Sequence, residues 1–187
     1  MTLDQLRVQL PDYAKDLRLN LESVLSETGA PGLTPTQIGM VAVASAIASR
    51  HAPLTEAVVA FARGTLDDAS LNGARTAAAI MAMTNVYYRF THLVGEREYE
   101  TMRAGLRMNA LAQHGSEKIG FELASLAVSA INGCGKCLDA HEKTLRQHGA
   151  SAQAVQSAVR IASVIHAVAV TLEQQRAAAP ADAARAA

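Results

Sequence analysis

The feature that most constrains the fold is the lack of strand patterning in a chain that is full of helix signals. No sustained alternation of apolar and polar residues occurs, and the nearest hairpin-like dipeptide, Asn72–Gly73, lies in an alanine-rich stretch. Apolar residues recur instead at helical spacing, between residues that start and stop helices. The sequence therefore predicts an all-α fold.

Capping residues and helix breakers predict where the helices begin and end. Thr2 and Thr34 are each followed three residues later by glutamine, a capping-box pattern that predicts two N-termini. The helix from Thr34 is expected to run to about Arg50, and another is expected from Glu96 to Ala104. The other predicted helices begin near Pro53, Leu66, Ser116, Cys134 and Ser151. The last one should turn an apolar face to the core, comprising Val155, Val159, Ala162, Ile165, Ala169 and Leu172.

The length and composition fit one domain. The chain has 187 residues, and we expect a single helical domain over residues 1–175 followed by a flexible, alanine-rich tail over residues 176–187. Hydrophobic residues make up 50% of the chain, which is enough for a sizeable core. Because many of them are alanine, tight helix packing or burial against another subunit should contribute to stability.

Charge and hydropathy restrict the partners and the compartment. Lys and Arg number 17, as do Asp and Glu, and no basic patch is evident, so nucleic acid is not an expected partner. No apolar run is expected to reach the roughly 20 residues that span a bilayer, and the N-terminus does not resemble a signal peptide. We therefore expect a cytoplasmic protein. In that reducing compartment an isolated cysteine pair is more often redox-active or metal-binding than structural.

The chain contains two cysteines, Cys134 and Cys137, at the predicted start of a helix. Gly133 ends the preceding helix, so the pair lies near backbone N–H groups that have no partner within the helix. Such donors and the helix dipole lower the pKa of a cysteine placed there. Residues three apart on a helix have Cβ atoms about 5–6 Å apart, which suits a reversible disulfide.

His141 and Glu122 can complete a proton-transferring group. His141 follows Cys137 by four residues and shares its helix face, and helical side chains lean toward the N-terminus. We infer that His141 can deprotonate Cys137. Glu122 lies in an otherwise apolar segment that should fold back over the cysteines, where its carboxylate can orient the imidazole.

Other interpretations of these residues remain open or can be set aside. Two buried cysteines at this spacing could occur by chance, and a zinc site would need about four ligands where only Cys134, Cys137 and His141 are close. Haem attachment needs histidine at the position of Leu138, and a thioredoxin-type motif should follow a strand. His166 is expected to be a core histidine.

The spacing Glu122-x11-Cys134-x2-Cys137-x3-His141 resembles the signature of the alkyl hydroperoxide reductase D proteins, in the carboxymuconolactone decarboxylase-like superfamily. The resemblance extends over nearly the whole chain. The segments that carry it are LPDYAKDLRLNL (10–21), AIMAMTNVYYR (79–89), GLRMNALA (105–112) and FELASLAVSAINGC (121–134).

This resemblance implies an all-helical subunit in a homotrimer, with alkylhydroperoxidase activity and no bound cofactor. It implies that Cys137 meets the peroxide, that Cys134 resolves the resulting sulfenic acid, and that Glu122 and His141 relay protons. It also implies that electrons come from a dihydrolipoyl group on an acyltransferase subunit. The enzyme would in addition reduce the peroxiredoxin alkyl hydroperoxide reductase C.

One position departs from the family pattern. Members carry a histidine directly before the second cysteine, where this chain has Lys136. A lysine supplies positive charge that favours a thiolate, but it does not relay protons near neutral pH as an imidazole does. Three alternatives stay open: a disulfide carrier for a peroxiredoxin with little peroxidase activity, a decarboxylase-like lyase, and an assembly module whose cysteines bind metal.

Overall fold

The computed structural model describes residues 1–178, and helices are the only regular elements within that range. The expected all-α fold is therefore confirmed. The α-helices are α1 (Leu3–Gln9), α2 (Lys15–Val24), α3 (Pro35–Ala48), α4 (Ala52–Ala62), α5 (Asp68–Leu93), α6 (Arg97–Thr101), α7 (Lys118–Ile131), α8 (Gly135–Gln147) and α9 (Ala152–Ala178), and short 3₁₀ helices span Asp12–Ala14 and Asn109–Leu111.

Helix starts agree with the capping patterns, whereas one helix is shorter than expected. Thr34 Oγ1 accepts the Gln37 N–H at 3.2 Å and the Gln37 side chain accepts the Thr34 N–H at 3.1 Å, which completes the predicted capping box. The helix expected from Glu96 to Ala104 covers only Arg97–Thr101. All of its residues are exposed, so no buried face supports further turns.

Helix α3 forms the centre of the core. It packs against α4, α5, α7 and α9, and every residue from Ile38 to Ala46 is buried. Small residues allow the neighbouring helices to approach it closely. A Cβ at Gly120 of α7 would lie 2.7 Å from the sulfur of Met40, so a larger residue there would displace this buried side chain.

Helix α9 covers the core largely with the predicted face. Ala162, Ile165 and Ala169 are buried as expected, as is Leu172, while Val155 and Val159 are partly buried. The core position expected for His166 is wrong. His166 is exposed, although the preceding residue Ile165 is buried, and its Nδ1 lies 3.3 Å from the Ser49 hydroxyl.

Helix α9 corrects the expectation that no apolar run is long enough to span a bilayer. Within residues 1–178, the stretch Ala152–Ala177 is long and apolar enough to cross a bilayer by length and composition, and its most apolar 18-residue window has a mean hydropathy of 1.5. About half of its most apolar window is buried inside the protein, and a core helix of a soluble protein passes the same test. Helix α9 continues to Ala178, and the rest of the predicted tail, residues 179–187, lies outside the described residues.

Three helices meet where the cysteines lie. Helix α7 ends at Ile131 with Asn132 as its C-cap, and Gly133 reverses the chain into α8 with a φ of 67°, a left-handed conformation that favours glycine. Helix α8 then packs back against α7, and α5 packs against both. The fold thus brings one face of each helix to a common junction.

Candidate active site

The two cysteines are joined at the start of α8. Cys134 is the N-cap residue, and its Cα lies 5.3 Å from that of Cys137, to which it is disulfide-bonded. The expectation that the two sulfurs can bond is confirmed. The Cys137 N–H donates to the Cys134 sulfur at 3.3 Å. A backbone donor at the start of α8 therefore contacts the sulfur of Cys134. Cys134 is fully buried, whereas Cys137 is 7% exposed.

His141 and Glu122 form a direct pair between α8 and α7. His141 Nδ1 lies 2.7 Å from Glu122 Oε2, and the side chains are only 14% and 18% exposed. Because a carboxylate can only accept, Nδ1 carries the proton in this bond and Nε2 is the nitrogen that remains for other chemistry. The sequence predicted this pairing across the connection at Gly133, and the structure brings the two side chains together.

A cavity of about 240 Å³ opens beside Cys137 and His141. Its walls are largely apolar, and α5 contributes side chains that the sequence analysis did not single out. The lining residues are Met81, Thr84, Tyr88, Met108, Leu111, Lys136, Cys137, Ala140 and His141. A small organic molecule in this cavity would contact both the sulfur and the imidazole.

Lys136 lies at the rim of this cavity, where it pairs with an acid. Its Nζ is 3.5 Å from Glu100 Oε1 of α6, and both side chains are about two-fifths exposed, at 39% and 45%. The expected positive charge near the thiols is present, but Glu100 partly neutralises it. The contact also connects the short helix α6 to α8.

A buried hydrogen-bond network fixes the end of α7 that precedes the cysteines. Asn85 of α5 is fully buried, donates to the Ser129 hydroxyl at 2.9 Å and accepts from the Asn132 amide at 3.0 Å. The Ser129 carbonyl accepts the Cys134 N–H at 3.1 Å. This network therefore holds the N-cap cysteine at a fixed place relative to α5.

The sequence contained only a weak signal for these additional residues. Asn85 was the clearest one, because an asparagine within an alanine-rich helix is unusual unless its amide has partners. Met81 and Tyr88 fit the pattern of ordinary core residues. Among residues 1–178, no three His, Cys, Asp or Glu side chains are placed to hold a metal ion.

Helices packed around a cysteine pair, with a carboxylate-bound imidazole at the same cavity, define a thiol-based redox protein. Residues 97–181 match the model of the carboxymuconolactone decarboxylase family. The chain is 53% identical to the alkyl hydroperoxide reductase AhpD of Bradyrhizobium sp. over 92% of its own length and 94% of that protein. It is 52% identical to the AhpD of Gluconacetobacter diazotrophicus, with 92% and 93% covered, and 51% identical to that of Brucella abortus, with 92% and 97% covered.

These relatives identify the particular family within that class. The chain belongs to the alkyl hydroperoxide reductase AhpD family and is an oxidoreductase of that family.

Proposed function

We propose that the protein reduces organic hydroperoxides to alcohols by cycling Cys134 and Cys137 between dithiol and disulfide. The observation that carries this proposal is the placement of Cys137 and His141 on one apolar cavity, with Glu122 bonded to the far side of the imidazole at 2.7 Å. Such a group supplies a nucleophilic sulfur, a base and an orienting carboxylate within reach of one small substrate.

The first step is oxidation of Cys137. His141, oriented by Glu122, takes the thiol proton through Nε2. The thiolate attacks the distal oxygen of the hydroperoxide, the O–O bond breaks, and the departing alkoxide takes up a proton to leave as the alcohol. Cys137 is then a sulfenic acid.

The second step closes the disulfide. The sulfur of Cys134 gives up its thiol proton and attacks the sulfenic sulfur of Cys137, and the hydroxyl leaves with that proton as water. The Cα atoms are 5.3 Å apart, within the range of about 4.4–6.8 Å usual for disulfides, so little backbone movement is needed. A dithiol then reopens the bond by thiol–disulfide exchange and is itself oxidised to a disulfide.

The electron donor in this proposal is a dihydrolipoyl group on a partner acyltransferase subunit, and electrons also pass to the peroxiredoxin alkyl hydroperoxide reductase C. Family membership supports this assignment, as does the limited access to the sulfurs. Cys134 is fully buried and Cys137 is 7% exposed, so a donor must reach them through the cavity. A slender dithiol arm meets that requirement, and the cytoplasm is the compartment that supplies it.

The experiment that tests the function is hydroperoxide turnover with dihydrolipoamide as donor. The wild-type protein should consume tert-butyl hydroperoxide continuously, whereas Cys137→Ser should have no activity. Cys134→Ser should react once per site without turning over. Consumption that begins only when the peroxiredoxin is added would favour the disulfide carrier, and full activity in Cys137→Ser would exclude the proposed chemistry.

The proposal includes assembly as a homotrimer through an exposed apolar surface. This rim patch comprises Val86, Phe90, Leu93, Tyr99, Met102 and Leu106 on and after the second half of α5, with Leu93 72% and Val86 60% exposed. Val86, Phe90 and Leu93 follow helical spacing on α5, and the ring centroids of Phe90 and Tyr99 lie 5.2 Å apart. Exposed apolar groups of this kind mark interaction surfaces. Their burial between subunits would also offset the small area that alanine contributes to the core.

Leu93→Asp should dissociate the assembly, which sedimentation velocity measures directly. Leu19→Asp is the matched control, because Leu19 is 67% exposed on α2, outside the rim patch. A monomeric wild-type protein, or a trimer that survives Leu93→Asp unchanged, would contradict the proposed interface.

A further inference from the structure

The sulfur of Met81 occupies an unusual place for a core methionine. Met81 is 2% exposed, lines the cavity beside Cys137, and has its sulfur 3.2 Å from Nε2 of His141. The imidazole is thus held on both sides, by Glu122 at Nδ1 and by Met81 at Nε2. The second partner comes from α5, so the ring is fixed between three helices.

The chemistry of the two partners assigns the proton positions. Glu122 accepts a hydrogen bond from Nδ1–H, because its carboxylate is only an acceptor. The thioether of Met81 is a weak acceptor with no proton of its own. Whenever the ring carries a second proton, its Nε2–H can therefore donate to this sulfur, a contact that an aliphatic side chain cannot make.

The sulfur is itself held in place by two donors. The Ser129 hydroxyl lies 3.7 Å from it and the Asn85 amide nitrogen 3.8 Å. Methionine is normally a flexible side chain that fills core space. Here its sulfur has a defined position, set by the same buried network that anchors the start of α8.

We propose that Met81 is a positioning residue whose sulfur lies against Nε2 of His141 in the disulfide form, accepts the Nε2–H whenever the ring carries a second proton, and keeps the imidazole facing the cavity between turnovers. This role rests on the proposed function of His141 as the base for Cys137. The second proton is the one that the ring takes from the Cys137 thiol and returns to the departing alkoxide, so Nε2 is again free of a proton when the disulfide closes. When the disulfide opens, the ring is already oriented toward the cavity that the next hydroperoxide enters.

Other titratable groups near the ring come from every helix around it. Glu122 faces it from α7, Tyr88 lines the same cavity from α5, and Lys136 lies at the rim with Glu100. None of these is altered when Met81 is replaced by an uncharged side chain. The effect of such a replacement therefore does not come from a changed charge near the ring.

Two substitutions of Met81 separate hydrogen bonding from shape, with Met83 as control. Met81→Leu keeps an apolar side chain of similar volume, which cores tolerate well, but removes the acceptor. It should lower kcat about threefold to tenfold at an unchanged KM. Met81→Gln offers a carbonyl oxygen and should restore most of kcat. Met83→Leu makes the same exchange two residues along α5, at a partly buried methionine outside the cavity lining, and should leave kcat unchanged.

A spectroscopic readout keeps this test independent of peroxidase activity. In the disulfide form, the ring ¹⁵N resonances of His141, assigned by their loss in His141→Asn, should change in Met81→Leu and return toward wild type in Met81→Gln. Identical ¹⁵N spectra for wild type and Met81→Leu would overturn the proposal even if the wild type reduces hydroperoxides. A Met81→Gln variant as impaired as Met81→Leu would also overturn it. A changed spectrum in a wild-type protein without turnover would instead contradict the proposed function alone.

Discussion

Replacing Glu122 by glutamine removes a negative charge from the imidazole while keeping the shape of the side chain. The amide oxygen can still accept the Nδ1–H of His141, so the loss is the difference between a charged and a neutral hydrogen bond. Both side chains are mostly buried, at 14% and 18% exposed, and water screens the pair little. Charged hydrogen bonds contribute about 1.5–3 kcal/mol and neutral ones about 0.5–1.5 kcal/mol.

That difference of about 1–1.5 kcal/mol sets the expected effect on catalysis. At about 1.4 kcal/mol per tenfold change, Glu122→Gln should lower kcat/KM for tert-butyl hydroperoxide about 5- to 15-fold.

The assay is hydroperoxide consumption with a saturating dithiol donor, measured across pH for wild type and variant. Glu142→Gln is the matched control, because Glu142 neighbours His141 in sequence but is half exposed and contacts Arg146 at 3.8 Å. It should retain wild-type kinetics. If the kcat/KM of Glu122→Gln stayed within twofold of the wild-type value at every pH, the carboxylate would have no part in the reaction.

Three further predictions concern the substrate, the core and a helix cap. The apolar cavity should favour tert-butyl hydroperoxide over hydrogen peroxide by at least about tenfold in kcat/KM, since burying a group of leucine size contributes about 1.5–3 kcal/mol; equal values would contradict the assignment of the cavity. Phe121→Ala should lower the free energy of unfolding by about 3–5 kcal/mol in urea denaturation, because Phe121 is only 1% exposed. The control Phe61→Ala should have a much smaller effect, because Phe61 is 45% exposed. Hydrogen bonds from the Ser70 backbone N–H and side chain hold the pKa of Asp67 below its ordinary 3.8, so its ionised cap stabilises the fold above that pH. The stability of wild type relative to Asp67→Ala should therefore decrease as pH falls from 7 to below the folded pKa, and a constant difference would contradict the cap.

Local chemistry made much of the fold predictable. Capping boxes such as Thr34 with Gln37, and glycines such as Gly133, act within a few residues and mark helix ends in any context. The exposed segment around α6 was less predictable, because its charged residues can form a helix but have no core to pack against. The division into a domain over residues 1–175 and a tail over 176–187 remains a prediction.

The site was predictable where its residues share one helix or adjoin one turn. Cys137 and His141 lie on α8 and Cys134 is its N-cap. Glu122 reaches them across a tight connection, so spacing alone indicated the group. Met81 contacts His141 from 60 residues away in the chain. A methionine in an alanine-rich helix has the pattern of a core residue, and only the packing of α5 against α7 and α8 reveals its polar surroundings.

The central claim is that hydroperoxide oxidises the sulfur of Cys137. Its most direct test is mass spectrometry of reduced Cys134→Ser protein after one equivalent of tert-butyl hydroperoxide and a sulfenic-acid trap such as dimedone. The account predicts one adduct per chain, on the peptide that contains Cys137. An unlabelled Cys137 in folded, reduced protein, together with an adduct on Cys134 in the Cys137→Ser variant, would contradict it.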